Sequence, residues 1–183
     1  QEEGITRVIL LDTQDTTFAT AAENQNYYPK YGMGTIGVPA GFIANQPKSS
    51  PGLVGVGYDP TADLGPADNV STGPGETLCN HIMVEYTDQK PSDALAWGIM
   101  QWQCDAFFFL RSLLQNDPSF AIGSQGQAWA QAIRAIGTSF QSASVLGTDF
   151  STGRFDGVSK VRPFAYFANC TCIRYTGAAV SSP

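Results

Sequence analysis

Four cysteines, at positions 79, 104, 170 and 172, restrict the folds open to this chain more than any other feature of its sequence. Their spacing fits neither a zinc ribbon nor a CxxC redox motif, so two disulfides are the expected arrangement. Cys170 and Cys172 stand two residues apart on a β-prone run, which points both side chains to one face and disfavours a bond between them. Cross-pairing with Cys79 and Cys104 is therefore expected, and either pattern closes a long loop with about 3–5 kcal/mol of chain-entropy stabilisation. Paired cysteines belong to an oxidising compartment. Two sequons point the same way as candidate glycosylation sites: Asn69-Val70-Ser71 in a Gly/Pro-rich stretch and Asn169-Cys170-Thr171 beside the cysteine pair. A secreted, extracellular protein is expected, and an opening Gln1 with no charged-then-apolar leader fits a mature secreted chain.

The 183 residues suit one ordinary domain, expected over 1–176, followed by a small, polar, flexible tail at 177–183. Apolar residues make up 43% of the chain without any run of about eighteen in succession, so no transmembrane segment is expected. Charged residues are only 14%, against about 25% in an average protein, which leaves Ser, Thr, Asn, Gln and Gly to build the surface. A net charge of −6 with ten scattered Lys and Arg residues argues against nucleic acid or anionic lipid as partners.

Residues 5–11 form a short β-prone run, and the Gly-, Pro- and Asn-rich stretch from 12 to 75 reads as long loops with short strands. Residues 77–87 alternate well enough to suggest a strand. Ser92 is the expected N-cap of a helix reaching about Gln115, with Leu95, Ile99, Trp102, Ala106, Leu110 and Leu113 turned inward. Gln101, Asp105, Ser112 and Gln115 form its polar stripe, on which Trp97 and Phe108 also fall. A second helix is expected over 124–140, with Ser124 as its cap, and a long strand over 161–176 is expected to pair with the strand carrying Cys79. Strands, then two helices, then a strand imply an α+β fold: an antiparallel sheet with both helices packed on one face and a long loop-rich N-terminal third.

The chemistry on offer is sparse. His81 is the sole histidine, which removes His₃ zinc sites and two-histidine nucleases. Ile122-Gly-Ser-Gln-Gly126 lacks the first glycine of a nucleophile elbow, and the glycines at 32, 34 and 37 lack a P-loop setting. Asp12 and Asp15, with Asp59, Asp63 and Asp68, do not follow EF-hand spacing, so turns and caps explain them, and no metal, cofactor or catalytic residue is assigned. A glycan hydrolase needs only two carboxylates, for which Glu76, Glu85, Asp105, Asp12 and Asp15 are available without any pair being singled out. Tyr27, Tyr28 and Tyr31 suit stacking on a sugar or a protein, and Trp97 and Phe108 form a second aromatic candidate for a ligand or partner surface. The expected function is a secreted, disulfide-stabilised binding or interaction protein of the cell surface, cell wall or an extracellular assembly, with a protein or carbohydrate partner. A specific variant of this expectation is self-assembly, with copies exchanging 5–11 or 161–176 at a sheet edge. A carboxylate-dependent hydrolase and a small-molecule carrier are the alternatives.

Overall fold

A computed structural model describes residues 4–11, 15–65, 70–87, 91–117, 126–151, 153–154 and 156–182. In chain order the elements are β1 (Arg7–Leu10), α1 (Asp15–Asn24), β2 (Lys30–Gly34), a 3₁₀ turn (Thr35–Gly37), α2 (Pro39–Asn45), β3 (Val54–Gly57), α3 (Pro60–Leu64), α4 (Pro74–Thr87), α5 (Ala94–Asn116), α6 (Gln127–Ile136), β4 (Lys160–Phe167), β5 (Cys172–Tyr175) and β6 (Val180–Ser181). The sheet runs β1-β2-β3-β4-β5, with β6 beside β4. It is mixed: β1–β2 and β2–β3 are parallel, whereas β4 is antiparallel to β3, β5 and β6. An antiparallel sheet with two helices is thus corrected to a mixed sheet with six α-helices among the described residues.

The first third is a β-α-β-α-β unit. Parallel neighbours need a crossover to bring the chain back, and α1 and α2 supply one each. Both lie on the same face, where Ala19 of α1, Phe42 of α2 and Leu64 of α3 bury against Leu10, Tyr31, Met33, Leu53, Phe164 and Ile173 of the strands and their flanks. Short helices start where the sequence supplies a rigid first turn: Pro39 opens α2, and Pro60 opens α3 behind the Asp59 cap. Elements of seven and five residues are too short for periodicity to reveal.

Residues 77–87 are helical, not a strand. Pro74 opens α4 and Glu76 lies in its first turn. Cys79 then pairs with Cys104 of α5, and His81 Nε2 lies 2.6 Å from Glu85 Oε2 across one turn. With no strand at Cys79 to pair with, residues 161–176 fold back on themselves as the β4–β5 hairpin. The expected cross-pairing of cysteines is corrected with it. Cys79 bonds Cys104, 25 residues apart, and Cys170 bonds Cys172 across the hairpin turn. The turn allows the second bond because Thr171 adopts φ 51°, which shortens the extended i, i+2 spacing and brings the two Cα atoms to 5.1 Å. Segment 177–182, read as a tail, returns along β4 as β6, and Ser182 N–H donates to Ser159 O at 2.9 Å.

Helix α5 forms where expected, capped by Asp93 rather than Ser92, but rotated. Leu95, Ile99 and Trp102, assigned inward, are 51%, 45% and 40% exposed, while Gln101 of the supposed polar stripe is 1% exposed. The reason is the set of partners along that stripe: Cys104 must reach Cys79, and Asp105 accepts hydrogen bonds from segment 142–144. Helix α6 is shorter than expected, and Ser124 lies outside the described residues. Helices α5 and α6 pack with Phe140 and Phe150 around Leu113, and Met100, Cys79, Cys104 and Ala143 form a neighbouring cluster.

Candidate functional site

In a sheet of parallel strands, the connections leave the strands at their carboxyl ends, and ligands commonly bind in the crevice outside them. Here the connections that follow β1, β2 and β3 converge on one place. Thr16 opens α1 after β1, Ile36, Gly37 and Val38 follow β2, and Asp59 follows β3. The start of α5 closes the far side with Asp93, Leu95 and Trp102. Together with α2, all of these except Asp59, which holds Trp102 from behind, line a crevice of about 600 Å³.

The walls are fixed from beneath by buried carboxylates. Asp59, fully buried, accepts from the N–H groups of Thr61 and Ala62 at 3.0 and 3.1 Å, and its other oxygen accepts from the Trp102 indole N–H at 2.8 Å. The indole is thereby pinned over the end of β3 while its ring faces the crevice. One turn later Asp63, also fully buried, accepts from Thr35 Oγ1 at 2.8 Å and from the Tyr175 hydroxyl at 2.7 Å. Thr35 Oγ1 in turn accepts from Tyr58 N–H at 2.9 Å, so β2, β3, α3 and β5 are joined at one point. Burial pushes Asp63 up to about 7 against the opposing pull of Tyr175 and Thr35, and it raises Asp59 and the phenol of Tyr175 as well. Gly57 lies against Asp63, and Gly37 against the buried Asp15 carboxylate, where a Cβ would overlap those oxygens.

Val38 is the anomaly of the crevice. It lies between the 3₁₀ turn and α2 at φ 46° and ψ 67°, a left-handed conformation that a β-branched residue adopts only at a cost. Such strain persists where the surroundings over-determine the backbone, and it concentrates at binding sites.

The aromatic candidates separate. Tyr31 is 1% exposed in β2, with its ring edge-on to Phe18 and Phe42, so it presents nothing to a partner. Tyr27 donates to Ile5 O at 3.0 Å, and Tyr28 is exposed nearby. Trp97 and Phe108, both half-buried, pack on Cys79, Met100, Cys104 and Ala143. The most exposed aromatic of α5 is Phe107, 70% exposed, at the lip of an apolar groove of about 700 Å³ between α4 and α5 with Ile82, Ile99 and Phe108.

The candidate acids are engaged structurally. Glu76 accepts from Thr72 N–H at 2.9 Å, and Asp105 accepts from Ser142 Oγ, Ala143 N–H and both donors of Ser144 at 2.5 to 3.2 Å. Glu85 is on the surface with His81. Asp12, Asp68 and Asn69 lie outside the described residues, and Asn169 is exposed in the β4–β5 turn. Among the described residues no group of three His, Cys, Asp or Glu side chains is placed to hold a metal ion, and no helix is long and apolar enough to cross a membrane.

No family model matches the sequence, and no curated protein matches it. A solved structure does: a branched chain amino acid ABC transporter from Thermus thermophilus with bound valine, at TM-score 0.66 and 12% identity. The likeness is one of fold. It covers 99% of this chain and 47% of the transporter chain, so the present chain spans about half the length of that protein. The crevice residues Ile36, Val38 and Trp102, and the buried Thr35, Asp59 and Asp63 behind them, do not stand out as a site in the sequence. The sequence signals that locate this region are Asp59-Pro60 as a cap and helix start, and Val38-Pro39 as its counterpart after β2.

Proposed function

We propose that the chain is a binding module of a secreted, disulfide-stabilised protein and that it holds a small aliphatic molecule in the crevice at the carboxyl ends of β1–β3. The observation that carries this reading is the crevice itself: about 600 Å³, walled by Ile36, Val38, Leu95 and Trp102, with Thr16, Asn45 and Asp93 as the polar groups that can orient a ligand. An apolar wall with a few placed polar groups is the usual make-up of a small-molecule site. The bound valine of the structural neighbour nominates branched aliphatic amino acids as the first ligands to try. The two disulfides support an oxidising compartment, and the exposed Asn169 is available as a glycan acceptor.

Thermal shift and calorimetry with valine, leucine and isoleucine test the reading. A ligand at a hundredfold over its Kd adds about 2.7 kcal/mol, enough to move the melting temperature by several degrees. Ile36→Asp, at a side chain 57% exposed, is expected to abolish the shift without unfolding the protein. No shift with any aliphatic amino acid, or a shift that survives Ile36→Asp, rejects the crevice as the site.

The groove between α4 and α5 favours a second reading, in which the protein partner expected from sequence docks there, because Phe107 and Ile99 expose apolar surface side by side. Phe107→Glu should then abolish partner binding and leave the valine response intact.

A further inference from the structure

The face of the sheet opposite α1–α3 carries a trough. On one side of it β1 presents Ile9, 74% exposed, and leads into Leu11, 85% exposed; on the other β3 presents Val54 and Val56, 54% and 51% exposed. Between these ridges β2 presents only Gly32 and Gly34, in register with Val54 and Val56. The trough measures about 690 Å³. Parallel strands are ordinarily covered on both faces, because a crossover fold buries them between helices.

The two glycines have no internal cause. Neither adopts a positive φ. A Cβ at Gly32 would approach Ile9 Cγ1 to 3.7 Å, and one at Gly34 would approach Val56 O to 3.6 Å, both ordinary contacts. On the opposite face of β3 the case differs: a Cβ at Gly55 would overlap the Phe164 ring, and one at Gly57 would overlap Asp63. The bare floor at Gly32 and Gly34 therefore leaves room for something beyond the described fold.

Its shape and charge indicate what fits. Ridges two strands apart are separated by about 9.6 Å, which matches the 8–10 Å at which helices pack. Arg7 and Lys30, both exposed, stand at the amino ends of β1 and β2, with Arg174 exposed on β5; none of the described strand positions on this face is acidic. A helix laid antiparallel to β1–β3, as crossover helices are, brings the negative end of its dipole over Arg7 and Lys30.

We propose that this face docks an amphipathic α-helix of a partner polypeptide, its apolar stripe seated on Gly32 and Gly34 between the Ile9 and Val54–Val56 ridges, and its acidic carboxyl-terminal turn over Arg7 and Lys30. A displayed library of helices about five turns long, with an apolar stripe and a randomised last turn, panned on the intact chain, tests this. Enriched peptides are expected to carry Asp or Glu in the last turn and to lose at least about tenfold in affinity, roughly 1.4 kcal/mol, on Gly32→Val/Gly34→Val. The same loss is expected on Arg7→Glu/Lys30→Glu, a surface change that keeps the test valid if the valine pair fails to fold. Three results overturn the proposal: no enriched family; peptides that bind both variants as tightly as the parent protein; or self-association of the parent protein in sedimentation that the valine pair abolishes, which assigns the face to a second copy.

Discussion

At the scale of single residues, the sharpest consequence of the structure is the burial of Asp63. Its carboxyl rises from the ordinary 3.8 to about 7 because burial outweighs the hydrogen bonds from Tyr175 and Thr35. The folded protein therefore holds this proton more tightly than the unfolded chain does. Its contribution to stability is fully present below about pH 4 and is lost as pH rises through about 7. Asp63→Asn keeps the side-chain shape and removes the titration, so urea unfolding of the variant at pH 4.5 and 7.5 should show a smaller difference than in the parent protein. Some slope will remain, since burial shifts Asp59 the same way. An unchanged slope would mean that Asp63 is ionised in the folded state throughout. Val38 makes the opposite kind of prediction. Glycine accepts φ 46° without strain, so Val38→Gly is expected to raise stability by about 1 kcal/mol while loosening the crevice and weakening ligand binding. Little of this was visible in the sequence. Asp59 and Asp63 read as turn residues, and nothing local announces that an aspartate will lose all contact with water.

Among the elements, the two disulfides differ in what they constrain. Cys79–Cys104 ties α4 to α5 across 25 residues, a loop whose closure entropy corresponds to about 3 kcal/mol, whereas Cys170–Cys172 spans a single turn and constrains the unfolded chain little. Replacing Cys79 and Cys104 by alanine is expected to lower the unfolding free energy by about that amount. Replacing Cys170 and Cys172 by serine should cost about half as much, since the turn they close is already short. Equal losses in denaturant melts would refute this ranking. Helix α5 was legible because 23 residues of strong periodicity end at an Asn-Asp-Pro stop. Helix α4 was not, because Leu78, Ile82, Val84 and Tyr86 satisfy a period of two as readily as their neighbours satisfy a helical one. The Pro74 start and the i, i+4 pairs Cys79–Met83 and His81–Glu85 were the signals that favoured the helix.

The whole molecule consists of a sheet with α1–α3 on one face, joined through α5 to a helical layer built around Leu113 and Ile136. Trp102 is a tie between them, since its indole N–H reaches the fully buried Asp59. Trp102→Phe keeps an aromatic side chain and deletes the donor, leaving that carboxylate short of one partner, and should cost about 1–3 kcal/mol by circular dichroism in urea. A neutral result would show that the tie is made by packing alone. What the sequence by itself determined is the part that local chemistry dictates: an apolar share large enough for a core, a long central helix, β-prone segments at 5–11 and 161–176, and cysteines that pair. The tertiary structure alone decided which cysteines meet, which face of α5 turns inward, whether strands run parallel, and where the carboxylates are buried. These are outcomes of contacts between residues far apart in the chain, such as Thr35 with Asp63 and Asp63 with Tyr175, and no local period or propensity encodes them.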